Sequence, residues 1–207
     1  KYTFIHPTKS GGTAMAFFFQ HHYSNYIHAT DHTPICRNDN NPIIVVRDPK
    51  SRFISMYKYW KNGSECWKRD DEWKEKYKNT TIIDFINMIK KNDSRLFIDT
   101  GFSMNYLLYP TTKWIKNTDY KNIIIIKYEK NLNDKKKKLI NLLKIPNKNI
   151  KLPIMNTTLT NYIHIEENRY DNDTYKYIND FIEDYYKDDF KLINTIEINP
   201  ELFKFVI

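Results

Sequence analysis

"FIHPTKSGGTAMAFFF", residues 4–19, decides how this chain is read. An apolar stretch ends at His6 and Pro7, a lysine stands at position 9, glycines occupy positions 11 and 12, and a run of helix formers follows. Only four glycines occur in 207 residues, so two side by side at one turn call for a local reason. A strand that enters a glycine turn and leaves as a helix suits an anion such as phosphate. The amides at the helix N-terminus point at the anion, the macrodipole favours negative charge, and glycine lets the backbone approach closely. "KSGGT" adds a cation at Lys9 and hydroxyls at Ser10 and Thr13. A plain turn closing a strand–helix connection, with Lys9 at the surface, fits the same letters, and the segment alone does not separate the two. The residue order does exclude a Walker A loop, whose lysine follows its glycines, and the dinucleotide fingerprint G-x-G-x-x-G.

Outward from this turn, apolar runs alternate with helical patterns. "YTFIH" (2–6), "NYIHA" (25–29), "NPIIVV" (41–46) and "KNIIIIKYE" (121–129) read as strands. The last is continuously apolar, as a parallel strand covered on both faces should be. Helical patterns fall at 13–23, 80–91, 102–115 and 133–145, with a long aromatic-rich helix over 171–194. The helix predicted after "NPIIVV" has Asp48 at its N-cap and Pro49 at its first position. Strands alternating with helices indicate an α/β domain with a mainly parallel sheet. No internal repeat or flexible linker divides it, so one domain over 1–207 is expected, with a helical C-terminal part from roughly residue 156.

Composition narrows the classes less than the motifs do. A 41% hydrophobic content fits a globular, soluble protein, and no apolar run approaches the ~18 residues of a membrane helix. The formal net charge of +8 favours an anionic partner, although a lysine-rich solubilising surface would look the same. Cys36 and Cys66 match no metal-site spacing, and their pairing is open. The chain starts at Lys1 rather than Met. A cytoplasmic protein and the lumenal part of a longer chain are both compatible with these features.

A second segment, "IVVRDPKSRFISMYKYW" (44–60), places Arg47 at a strand end and Ser55 inside the next helix. An arginine there can chelate a phosphate through charge-assisted hydrogen bonds, with a neighbouring hydroxyl helping. For Arg47 alone, a surface ion pair would be the plainer reading. Taken together, the two segments resemble the sulfotransferase superfamily, and more closely its Golgi-type carbohydrate branch than its cytosolic branch. In that family a P-K-[ST]-x-G-T loop binds the 5′-phosphosulfate of 3′-phosphoadenosine 5′-phosphosulfate (PAPS), and R-D-P-x-x-R-x-x-S-x-Y binds the 3′-phosphate. This chain matches the first motif from Lys9 onward and the second at every defining position. "IIKYEKN" (125–131), "LPIMNTT" (152–158) and "IEDYYKDDFKLI" (182–193) resemble later family segments. Two departures stand out: Thr8 separates Pro7 from Lys9, and the cytosolic branch's C-terminal Arg-Lys-Gly is absent.

The resemblance implies a three-layer, P-loop-like domain in which a sulfuryl group passes in line from PAPS to an acceptor hydroxyl. Adenosine 3′,5′-bisphosphate would leave, and no metal would be required. Lys9 would neutralise charge on the bridging oxygen, while the amides of Ser10, Gly11, Gly12, Thr13 and Ala14 held the 5′-phosphate. Arg47 and Ser55 would take the 3′-phosphate. Histidine suits the general base, and "YIHATDHTP" (26–34) offers His28 and His32. His32 is preferred because "DHTP" resembles the His-Leu-Pro of the cytosolic branch and lies beyond the predicted strand. His21 and His22 read as helix-surface groups. A carbohydrate is the first choice of acceptor, ahead of a protein tyrosine or a small alcohol, and nucleic acid is not expected as a partner.

Other features take plain readings. Phe53, Tyr57 and Trp60 at helical spacing read as core, and Lys135–Lys138 as a solvated helix face, with an anionic-glycan site the lesser reading. Two rival functions remain at this level. One is a nucleotide kinase on a similar scaffold, against which the missing Walker A order and the Arg47–Ser55 pair both count. The other is a non-catalytic basic protein binding nucleic acid or sulfated glycan, which would show salt-dependent binding without nucleotide preference.

Overall fold

Four of the predicted apolar runs form strands, and all run the same way. A computed structural model describes residues 1–30, 41–64, 67–68, 71–96, 108–116, 118–128, 131–153 and 170–207. Along the chain lie β1 (Tyr2–Ile5), α1 (Thr13–His22), β2 (Ile27–Ala29), β3 (Pro42–Val46) and α2 (Pro49–Asn62). A two-residue hairpin pairs 63–64 with 67–68, and α3 (Asp71–Tyr77) and α4 (Ile82–Lys91) follow. Then come α5 (Thr111–Trp114), β4 (Ile124–Lys127), α6 (Leu132–Leu142), α7 (Asn172–Tyr185), α8 (Lys187–Ile198) and β5 (Phe205–Val206). The central sheet has the order β2-β1-β3-β4-β5 with every pairing parallel, so the fold is a three-layer α/β arrangement of helices about an all-parallel sheet.

Contacts divide the chain into two compact units, one of residues 1–48, 110–155 and 188–207, the other of 49–109 and 156–187. The first contains the sheet. Register aligns Phe4, Ile43 and Ile124 in one row and Ile5, Ile44 and Ile125 in the next. Strand side chains alternate between faces, so the first row meets Met15, Phe18 and Phe19 of α1 and Leu139 and Ile140 of α6 in one apolar cluster. The second row, on the opposite face, is fully buried as well. Removing each such side chain from water contributes roughly 1.5–3 kcal/mol, which explains why β3 and β4 read as unbroken apolar runs. β5, which the sequence reading placed in a helical C-terminal part, pairs with β4 through only two residues, too few for a local signal.

The lysine run departs from its expected solvated face. Lys137 and Lys138 are exposed, but Lys136 is 2% exposed, because it shares a helical stripe with Leu132, Leu139 and Ile140. Its amine lies 4.7 Å from the centre of the Phe18 ring and donates to the Ile150 carbonyl. Burial holds the amine's pKa below its usual value, with Lys137 adding to the effect. Of the helix expected over 102–115, the described part is helical only at Thr111–Trp114; Pro110, with ψ 144, is extended and the helix starts behind it. The four-residue α5 has no cap of its own at Pro110. Asp189 supplies one, accepting from Thr111 N (2.7 Å), Thr112 N (2.9 Å) and Thr112 Oγ1 (3.1 Å).

The second unit is helical. Phe53, Tyr57 and Trp60 of α2 are buried around Phe85 of α4, at ring-centre distances of 5.8, 5.6 and 5.2 Å, in keeping with their core reading. α4 opens on a capping box in which Thr81 and Asp84 satisfy each other's backbone N–H. The single helix expected over 171–194 is instead α7 and α8, interrupted at Tyr186 (φ −109, ψ 21). The buried Tyr186 ring donates its hydroxyl to the Leu108 carbonyl at 2.9 Å, which holds the residue that ends α7.

Candidate active site

In an open parallel sheet, ligands sit beyond the C-terminal strand ends, where the strand order reverses. Here that place lies between β1 and β3, since the chain goes from β1 to β2 on one side and to β3 on the other. The segment after β1 is the glycine turn, and the residue after β3 is Arg47. Arg47 donates Nη1 to the carbonyl of Lys9 at 3.0 Å, so residues 38 positions apart meet at the sheet edge.

The turn has a specific geometry. Lys9 and Gly11 both adopt left-handed backbone, φ 58 and φ 83, and Ser10 N–H donates to the Pro7 carbonyl at 3.0 Å. Gly12 caps α1 without any side-chain acceptor, and the first turn of α1 has no acidic residue. The leading amides of a ten-residue helix therefore face the turn with no carboxylate from the helix's own first turn competing for them. Ser10 Oγ is buried with no hydrogen-bond partner, an unmet donor that an anion at this turn would suit. Thr13 and Ala14, the first residues of α1, are half-buried.

Each glycine has its own reason. Gly11 needs its positive φ, and a Cβ there would stand 1.9 Å from Cε2 of Tyr128. Gly12 has an ordinary φ of −77, but a Cβ on it would stand 2.2 Å from the Cβ of His6. His6 follows β1, is 3% exposed, and stacks on Phe4. Tyr128 follows β4 and lies under the Arg47 guanidinium, 4.8 Å from ring centre to Cζ. His6 does not stand out in the sequence reading, and Tyr128 figures there only within the family-like segment "IIKYEKN". The available signal was position: each is the first residue beyond the C-terminal end of a parallel strand.

Lys9 is half-buried, and its amine pKa is lowered from 10.5 to about 8, chiefly by burial and then by Arg47. A cation held in this way gains most from a neighbouring anion. Thus the first unit brings together Lys9, Ser10, Gly11, Gly12, Thr13, Ala14 and Arg47. Ser55 lies on α2 in the second unit and is 6% exposed. Arg52, one helical turn before it, is fully buried, donates Nη2 to the Tyr109 carbonyl at 2.8 Å and lies over the Tyr186 ring, so it is a packing residue.

A sequence profile described as the sulfotransferase family matches residues 9–194, from the lysine of the turn to within α8. The chain belongs to the sulfotransferase family. Its members transfer sulfate to hydroxyl-bearing acceptors. No curated protein and no solved structure matches this sulfotransferase. His28, one of the two expected bases, is exposed in the middle of β2 and in register with Thr3, short of the strand end. His32, like Cys36 and Cys66, lies outside the described residues. Among the described residues, no group of histidine, cysteine or carboxylate side chains could hold a metal ion, and no helix is long and apolar enough to cross a membrane.

Proposed function

We propose that this sulfotransferase takes its sulfuryl group from PAPS and places it on a hydroxyl of a carbohydrate. The supporting observation is the convergence of Lys9 and Arg47 on the uncapped N-terminus of α1, at the reversal point of a parallel sheet. The amides of Gly11 to Ala14 and the hydroxyls of Ser10 and Thr13 hold the 5′-phosphate. Ser10 N–H, engaged with Pro7, takes no part while that bond stands. Lys9 neutralises charge on the bridging oxygen as its bond to sulfur breaks and the acceptor oxygen bonds to sulfur. The acceptor proton passes to a base, for which His32 is the first choice and His28 the second. Arg47 and Ser55 take the 3′-phosphate, as the match of "RDPKSRFISMY" to the family motif implies. The carbohydrate acceptor rests on the resemblance to the Golgi-type branch.

Calorimetry with adenosine 3′,5′-bisphosphate, ADP and AMP tests the donor. The bisphosphate binds in clear preference, and Arg47→Ala removes most of that preference. Equal affinity for the three nucleotides would overturn the donor assignment. Transfer of labelled sulfate to a panel of glycans, tyrosine peptides and small alcohols then tests the acceptor.

A further inference from the structure

Three contacts converge on one residue, two of them on its ring. Tyr128 packs against the bare backbone of Gly11, close enough that any Cβ there would overlap its Cε2. The Arg47 guanidinium lies over the same ring, at 4.8 Å. The Tyr128 N–H donates to the Val46 carbonyl at 2.7 Å, which ties the residue to the end of β3 immediately before Arg47. The β3–β4 register pairs Val46 with Lys127, so Arg47 and Tyr128 are the next pair beyond the sheet. Arg47 in turn donates to the carbonyl of Lys9, whose φ of 58 a non-glycine residue keeps only when its surroundings hold it.

We propose that Tyr128 is a positioning residue of the donor site, a platform whose ring seats Gly11 and sets the Arg47 guanidinium against the Lys9 carbonyl. The inference rests on the reading of this turn and of Arg47 as donor-binding. A guanidinium over an aromatic ring is held there by the attraction of its charge to the ring face, and its N–H donors can still be used. One of them goes to the carbonyl of Lys9. Tyr128 thus couples two parts of the site: displacing its ring frees Arg47, and the loss of Arg47 loosens Lys9. A lysine in place of Arg47 would keep the charge but neither stack in this way nor present fixed donors.

Arg47 is the charged neighbour that bears on the Lys9 amine, and it holds the amine's pKa down in addition to burial. Among the described residues, His6 behind Gly12 and Tyr128 beside Gly11 are titratable side chains that pack against the glycines of the turn. This supplies a readout that a purely structural role would not move. In ligand-free protein carrying ¹³C-labelled lysine, the Lys9 resonance is titrated by NMR for wild type, Tyr128→Phe and Tyr128→Leu, and calorimetry gives the affinity of each for adenosine 3′,5′-bisphosphate. Tyr128→Phe keeps the Lys9 titration and binds within about twofold of wild type. Tyr128→Leu moves the titration upward, as Arg47 leaves, and weakens binding about tenfold. The platform is overturned if Tyr128→Leu leaves the titration unmoved, or if Tyr128→Phe is as damaging as Tyr128→Leu, which would assign the role to the hydroxyl. Should Tyr128→Leu not fold, Arg47→Lys decides: it must weaken binding similarly, and wild-type affinity would overturn the proposal. A Lys9 shift in Tyr128→Leu, with no bisphosphate preference in wild type, would uphold the platform and sink the donor reading instead.

Discussion

Lys9 shows how one residue carries both a conformational and an electrostatic load. Its backbone is left-handed, its carbonyl is held by Arg47, and its amine has a pKa lowered from 10.5 to about 8 by burial and by Arg47. The sign of the pH effect follows. Below pH 8 the amine is charged in both the free and the anion-bound protein, so affinity for adenosine 3′,5′-bisphosphate is flat on its account. Above pH 8 the free protein loses a proton that the complex retains, so binding takes up a proton. Affinity then falls by up to about tenfold per pH unit until the pKa of the complex is passed. Calorimetry across pH 6.5 to 10 checks this, and Lys9→Met removes the step. For folding the sign is opposite. The native pKa lies below the unfolded one, so the charged amine costs stability at neutral pH, and that cost is relieved as pH rises from about 8 toward 10.5. The glycine pair was legible as a turn, but its two causes were not: Gly11 answers to a positive φ and a ring, Gly12 only to the Cβ of His6.

At the scale of elements, strands were easier to read than helices. β3 and residues 124–126 of β4 are buried on both faces, so each of those residues had to be apolar and the run was visible. The helix over 171–194 was legible as helix but not as two, because the break falls at Tyr186, whose hydroxyl partner Leu108 lies 78 residues away. The family-like segment "IEDYYKDDFKLI" contains two residues with architectural contacts: Tyr186 holds the end of α7, and Asp189 caps α5. Asp189→Ala leaves the buried Thr111 N–H and its neighbour without an acceptor, and is expected to destabilise the protein by about 2–3 kcal/mol. Urea unfolding measures the loss; Asp189→Asn, which keeps one acceptor oxygen, loses less. Lys136 teaches the converse. A run of four lysines reads as a solvated face, yet a helix turns one of any four consecutive residues toward its packed side.

For the whole molecule, the charge is unevenly spread. Residues 131–151 contain seven lysines and one aspartate, which accounts for most of the net +8. Such a field raises the local concentration of an anionic ligand and is screened by salt. Raising ionic strength from 0.1 to 1 M is expected to weaken adenosine 3′,5′-bisphosphate binding about fivefold or more, as followed by titration in sodium chloride; an affinity independent of salt would exclude a contribution from this field.

The sequence by itself determined the class of fold, a parallel sheet with covering helices, because burial on two faces dictates unbroken apolar strands. It also determined where the groups proposed to hold the anion lie along the chain, because a glycine turn before a helix and an arginine after a strand are local patterns. Only the tertiary structure decided what surrounds them. Parallel register brings His6, Lys9, Arg47 and Tyr128 to one edge of the sheet. Contacts between residues so far apart leave no periodicity in the chain, because they are set by how strands align and not by how neighbouring residues are spaced.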